Sequence, residues 1–222
     1  MKIITINQSK SAPEWVRDQL REEIFSGTLI VGQQLRQDEI AERFGTSRIP
    51  VREALRQLES EDLIIYQPNK GAIVKGFSIQ EVLQLFDIRI ALECHALKLA
   101  IPHMAVEDLH GAQQILDDYD ASADPSTWGQ MNWNFHWSLY EPCNRIKLLD
   151  MIEANYGHVN RYTRTQISLS AGKVQPQEDH LELLHLCAQG KVDAAVKFLY
   201  QHIEKAQKSL QAKARKAGIA ID

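Results

Sequence analysis

The sequence predicts a mainly α protein in two parts: a small N-terminal unit of three helices and a β-hairpin, then an all-α helical bundle. Three observations carry this expectation. Apolar residues recur at helical spacing along most of the 222-residue chain. The period becomes strand-like in one place, at Leu63–Gln67 and Ala72–Lys75. Charge divides there too. The first 75 residues are neutral, and the whole net charge of −4 falls on the remainder. Residues 1–75 and 76–222 are therefore the expected domains, and the length suits one or two.

The first helix is expected from Ser11. Ser11-Ala12-Pro13-Glu14 has the spacing of a capping box, and proline is tolerated in a first turn. Val16, Leu20 and Ile24 supply its inner face, and Gly27 stops it. A short second helix spans Asp38–Phe44, with Ile40, Ala41 and Phe44 inward. Gly45 turns the chain. Ser47 is placed to cap a third helix to about Glu61, with Val51, Ala54, Leu55 and Leu58 inward. Pro68-Asn69-Lys70-Gly71 reads as the turn between two strands. Three helices, the last two joined by a tight glycine turn, followed by a hairpin make a winged helix-turn-helix.

Composition narrows the function classes. Hydrophobic residues at 44% and charged residues at 24% fit a folded globular chain, not a disordered one. No segment approaches the ~18 apolar residues of a membrane span, and the start is too short for a secretory signal. A cytoplasmic location without a membrane partner is expected. Cys94, Cys143 and Cys187 are odd in number and far apart, which argues against disulfides and thiolate metal sites. A net charge of −4 means that any nucleic-acid role rests on a local basic face.

Such a face exists on the third helix. Arg48, Arg52 and Arg56 recur every four residues and share one side, opposite Ala54, Leu55 and Leu58. Arginine suits guanine edges and phosphate. Ser47 lies at the positive helix end, and Lys70-Gly71 adds a charge at the hairpin tip. The plainer role is a solvated face, with Glu53 and Glu59 as intrahelical partners.

The segments Leu29–Leu35 and Ile40–Leu58, with the core Ser47-Arg48-Ile49-Pro50-Val51-Arg52-Glu53-Ala54-Leu55, resemble the DNA-binding domain of GntR-type bacterial transcription regulators. So does Leu63 through Pro68-Asn69-Lys70-Gly71-Ala72. The resemblance implies operator contacts by Ser47, Arg48 and Arg52, and a wing tip at Lys70 and Gly71 in the minor groove. Many relatives carry arginine where this chain has Asp38, and Arg36 is a nearby substitute.

The second part opens with another capping box, Ser78-Ile79-Gln80-Glu81, on a helix reaching about Ala100. Further helices are expected at about 105–120, 126–141, 145–168, 176–189 and 191–216. Of eight histidines, His95, His103, His110 and His158 carry no pattern. His136 lies one turn after Asn132, so the two share a face. His180 and His202 each lie roughly 15 Å along their helices from a turn at Gly190, which suits similar depth in a bundle. Three imidazoles and one oxygen would hold zinc, nickel or a similar divalent ion. Buried, hydrogen-bonded histidines are the alternative.

Phe86-Asp87-Ile88-Arg89-Ile90-Ala91-Leu92-Glu93, with Asn132, Phe135-His136, Asn144, His180 and His202, resembles the FCD effector-binding domain of the FadR-type GntR branch. In that family an aspartate and three histidines commonly bind a divalent metal, which often helps hold a carboxylate effector. Here the aspartate position is Asn132, which offers an oxygen without charge. The resemblance places Arg89 near the effector, where a guanidinium suits a carboxylate. An intrahelical pair with Glu93 is its equal alternative. Tyr140, Asn160 and Arg161 are further candidates for the pocket wall.

The expected function is a homodimeric, effector-responsive transcription regulator, a repressor by resemblance, on a palindromic double-stranded DNA operator. One alternative is a metal sensor. Another is a three-histidine metalloenzyme, for which the chain offers no convincing general base, nucleophile elbow or phosphate-binding glycine loop.

Overall fold

The computed structural model describes residues 11–167 and 177–216. The chain divides into two compact units, Met1–Phe77 and Ser78–Asp222.

In the first unit, α1 (Ala12–Phe25) begins where the Glu14 carboxylate accepts from the Ser11 backbone N–H at 2.8 Å and from its hydroxyl at 2.7 Å. Val16, Leu20 and Ile24 are wholly buried in a core shared with Val51, Ala54, Leu55 and Leu58 of α3 (Arg48–Ser60). Arg21 on α1 also pairs with Glu61 just past α3, Nε to Oε2 at 2.8 Å. The short α2 (Gln37–Arg43) is joined to α3 through Gly45, whose φ of +61° is the left-handed region that suits glycine. Ser47 holds the N-cap position of α3 in extended backbone. Its hydroxyl makes no capping bond, contrary to the expected role.

The hairpin is larger than the sequence suggests. Strands β2 (Ile64–Gln67) and β3 (Gly71–Val74) pair antiparallel, with Ile65 opposite Ile73. A third strand, β1 (Gln34–Leu35), adds to the other edge of β3, placing Leu35 opposite Ala72. The sheet order is therefore β1-β3-β2. Two residues are too few to show a strand period, so β1 is formed by its partner, not by local preference. At the tip, the Lys70 N–H donates to the Gln67 carbonyl at 3.2 Å. Pro68 and Asn69 occupy the turn centre, Asn69 with φ +63°. That is proline and asparagine at the two positions a type II turn asks for.

Six α-helices build the second unit among the described residues: α4 (Ile79–Ala100), α5 (Val106–Ala121), α6 (Pro125–Tyr140), α7 (Ile146–Ile167), α8 (Gln177–Ala188) and α9 (Val192–Lys216). Ser78 caps α4 reciprocally. Its hydroxyl accepts from the Glu81 N–H at 3.1 Å, and the Glu81 carboxylate accepts from the Ser78 N–H at 2.7 Å. Short 3-10 turns at Ile101–His103 and Glu141–Cys143 take up Pro102 and Pro142. Helix α4 packs on α9, α7 and α6; α5 packs on α6 and α8; and α8 packs on α9. Phe86, Leu97, Leu116, Phe135, Leu183 and Leu199 fill the interior. No described helix is long and apolar enough to cross a membrane.

Candidate functional site

Two sites stand in the two units. The first is the exposed face of α3. Because Val51, Ala54, Leu55 and Leu58 are drawn into the core, the four-residue repeat turns Arg48, Arg52 and Arg56 outward. Arg48 forms an ion pair with Asp38 at the start of α2, Nε to Oδ1. Arg36 is tied to its surroundings, with Nη1 3.3 Å from Glu39 Oε1 and Nε donating to Gln34 Oε1 at 3.3 Å. The amide of Gln34 in turn donates to the Lys70 carbonyl, so β1 braces the hairpin tip. Lys70 and Gly71 are exposed there, Gly71 with φ +71°. Tyr66 on β2 is not singled out by the motif, yet it is 40% exposed; partial burial and the charge of Glu59 raise its phenol, against the opposing pull of Arg56 and Arg52. Strand alternation gave no signal for it, because Tyr66 shares its face of β2 with the buried Ile64.

The second site is built inside the bundle. His136 on α6, His180 on α8 and His202 on α9 form a near-equilateral triangle, with ring centroids 5.2, 5.3 and 5.2 Å apart. One nitrogen from each lies within 4.8 Å of the others. All three rings are buried. Both nitrogens of His180 and Nδ1 of His202 have no hydrogen-bond partner. Unpaired buried polar atoms are costly, and three rings each offering one nitrogen to a common cluster fit a divalent ion of the zinc or nickel type. The aromatic wall of Phe135, 5.0 Å from His180, closes one side.

The same burial sets the protonation of the rings. Loss of solvent holds His136 well below the usual histidine range, helped by the positive potential of His180, His202 and Arg89. It lowers His180 and His202 to about 4 each, against the opposing pull of Asp179. Neutral imidazoles at neutral pH are the form that ligates metal. Asp179 lies 3.7 Å from His202 Nδ1 and is held at 3.1 Å by Lys205. It directly precedes His180, which was its one visible signal in the sequence.

Beside the triangle runs a buried polar chain. Arg89 donates to Glu93 through Nε at 2.6 Å and Nη2 at 3.3 Å. The Tyr140 hydroxyl donates to Glu93 Oε2 at 2.8 Å and lies 3.4 Å from His136 Nδ1. Glu93 is only 1% exposed. Burial works against the Arg89 charge, but Glu93 more than offsets it and raises the guanidinium above its ordinary value. Burial and then Glu93 push Tyr140 well above the ordinary phenol range. Arg89 forms the pair with Glu93 that its spacing allows.

The other expected pocket residues are less closely gathered. Asn132 is half-buried one turn before His136 on α6. Asn160 on α7 abuts Gly129 near the start of α6, where its Oδ1 lies 3.9 Å from the position of a glycine Cβ. That is about 10 Å along the helix from His136. The side chain of Arg161 lies outside the described residues.

These two units are shared by a known class. Residues 13–74 match the family model of bacterial regulatory proteins, gntR family, and residues 84–205 match the FCD domain. The chain belongs to the GntR family of DNA-binding transcription regulators, in the group that carries an FCD domain.

Among individual proteins, the chain is 32% identical to a solved GntR family regulator from Pseudomonas syringae pv. tomato. That alignment covers 94% of this chain and 89% of the other, with a TM-score of 0.56. It is 29% identical over 147 residues to the HTH-type transcriptional regulator YdhC of Bacillus subtilis, a match spanning 64% of each chain. It is 24% identical over 213 residues to the HTH-type transcriptional repressor RspR of Escherichia coli, covering 93% of this chain and 92% of that one. The family is one of regulators, not enzymes, which sets aside the three-histidine metalloenzyme.

Proposed function

We infer that this regulator is a homodimer whose affinity for a palindromic operator is set by a small ligand, bound with the help of a divalent metal in the helical unit. The observation that carries this reading is the triangle of buried imidazoles, with both nitrogens of His180 lacking a hydrogen-bond partner, in a chain whose other unit is a winged helix-turn-helix. In this reading α3 enters the major groove, and Ser47, Arg48 and Arg52 contact the operator, with Arg36 beside them. Lys70 and Gly71 reach the minor groove. Repression fits the name given to the Escherichia coli relative.

His136, His180 and His202 would hold the ion, with Asn132 as a neutral oxygen donor on the adjacent turn. The ion would supply positive charge for an anionic or oxygen-bearing effector, most simply a small carboxylate. Tyr140 and Arg89 both hold the Glu93 carboxylate, and the Tyr140 hydroxyl links it to His136. A carboxylate reaching Arg89 must compete with Glu93 for the guanidinium, so the histidine cluster is the stronger anchor. A ligand that binds one arrangement of the dimer better shifts the population and hence the DNA affinity.

The deciding measurement is metal content of protein purified without a histidine tag, beside His136→Ala. About one equivalent in the first and little in the second is expected. Small carboxylates are then screened by their effect on DNA binding in the presence of the metal. No metal in either protein, even after incubation with zinc or nickel, would sink the assignment. A change of DNA affinity with metal alone would instead favour a metal sensor.

A further inference from the structure

Asp38 is an acid beside the basic outer face of α3. It is the second residue of α2, 64% exposed at its side chain, and it pairs with Arg48, the first residue of α3, 72% exposed. Neither side chain has another ion-pair partner among the described residues. Arg52 and Arg56, on the same face, have no acidic ion-pair partner there either. An exposed pair of this kind adds almost nothing to folding. A lone carboxylate there would also repel phosphate.

The chemistry of the pair gives it a different use. Its net charge is zero, so Arg48 loses most of its general attraction to the phosphate backbone, which is the sequence-blind part of binding. Its hydrogen-bonding capacity remains. Asp38 holds Nε, and the terminal nitrogens of the guanidinium are the atoms that fork onto guanine O6 and N7. A carboxylate at a base edge is itself matched by the cytosine amine. Both members of the pair thus favour a G·C base pair and disfavour phosphate.

We propose that Asp38 is a specificity-determining residue, which holds Arg48 for direct reading of one G·C pair in each operator half-site. This rests on the reading that α3 is the DNA-reading helix. The cost of an acid on the DNA face is lower affinity for every sequence. The return is discrimination at one position, because an arginine already fixed loses less rotamer freedom when it docks.

The test uses the full-length protein and a randomised double-stranded DNA library to select its site. Affinities follow for the selected duplex, for the same duplex with each base pair changed in turn, and for a scrambled duplex, by fluorescence anisotropy at several salt concentrations. The wild type is expected to select a symmetric site with one invariant G·C pair per half-site. Changing that pair is expected to cost about 5- to 100-fold.

Asp38→Ala should bind the scrambled duplex several-fold more tightly, with a steeper salt dependence. It should discriminate at the G·C pair at least fivefold less. Asp38→Asn, which keeps the shape and removes the charge, should show the same gain on the scrambled duplex. Circular dichroism of each variant verifies folding. Unchanged discrimination at every position in Asp38→Ala overturns the proposal, as does weaker binding to both duplexes. Arg52→Ala separates the two readings. If neither it nor Arg48→Ala weakens binding to the selected duplex, α3 is not the reading helix, and both readings fall. If Arg52→Ala weakens binding and Asp38→Ala changes no preference, only the role of Asp38 falls.

Discussion

Glu93 shows how much a single buried group carries. It is 1% exposed and accepts hydrogen bonds from Arg89 and Tyr140. Its carboxylate is what makes a guanidinium tolerable inside the bundle. Glu93→Gln removes the charge and leaves Arg89 buried without a counter-ion, a loss expected to cost about 3–5 kcal/mol. Replacing both partners by apolar residues, Arg89→Met with Glu93→Leu, should cost less than Glu93→Gln alone, since no lone charge remains. Urea denaturation of the two variants decides it. A double variant less stable than the single one would show that the pair contributes net stability.

At the scale of elements, helix starts are fixed by a few hydrogen bonds. Ser78 and Glu81 satisfy each other's backbone N–H groups at the start of α4, which packs on three other helices. Ser78→Ala is expected to cost about 1 kcal/mol, within the ~0.5–2 kcal/mol range of such caps. Ser47→Ala should cost clearly less, because the Ser47 hydroxyl makes no capping bond. Equal losses in thermal melts of the two variants would contradict that difference. The sheet follows another rule: β1 exists only as a partner of β3, and Gln34 uses its side chain to brace the turn that carries Lys70.

Across the whole molecule, the buried histidines tie stability to pH. His180 and His202 have folded-state values of about 4 against 6.5 for a free imidazole. Between those values the unfolded chain binds more protons than the folded one. Stability is therefore full above about pH 6.5 and falls as pH drops toward 4. The loss is on the order of a few kcal/mol for the cluster, because each tenfold change in proton affinity is worth about 1.4 kcal/mol. Urea midpoints of the metal-free protein from pH 7.5 to 5 should fall steeply. The His180→Leu, His202→Leu variant should fall less. Parallel curves for the two would mean that the rings are not held neutral by burial.

The local features were legible in residue order alone. The capping residues at Ser11 and Ser78, the periods that place Val16, Leu55 or Phe86 inward, and the helix-turn-helix motif around Ser47–Leu55 act over a few neighbouring residues. The three histidines, by contrast, could be grouped from the sequence only through helix depth and the family resemblance, not through any local spacing. Their meeting at about 5 Å is a property of how α6, α8 and α9 pack. The choice of Glu93 for Arg89 was open in the sequence, because spacing of four residues permits a pair without requiring it. Tyr140, 47 positions away, settles the geometry by hydrogen-bonding the same carboxylate. The pairing of Asp38 with Arg48 and the strand at Gln34–Leu35 likewise depend on a turn or a partner distant in the chain. Local propensity acts within a helical turn, whereas burial, unpaired polar atoms and charge pairing arise only when distant segments come together in the folded chain.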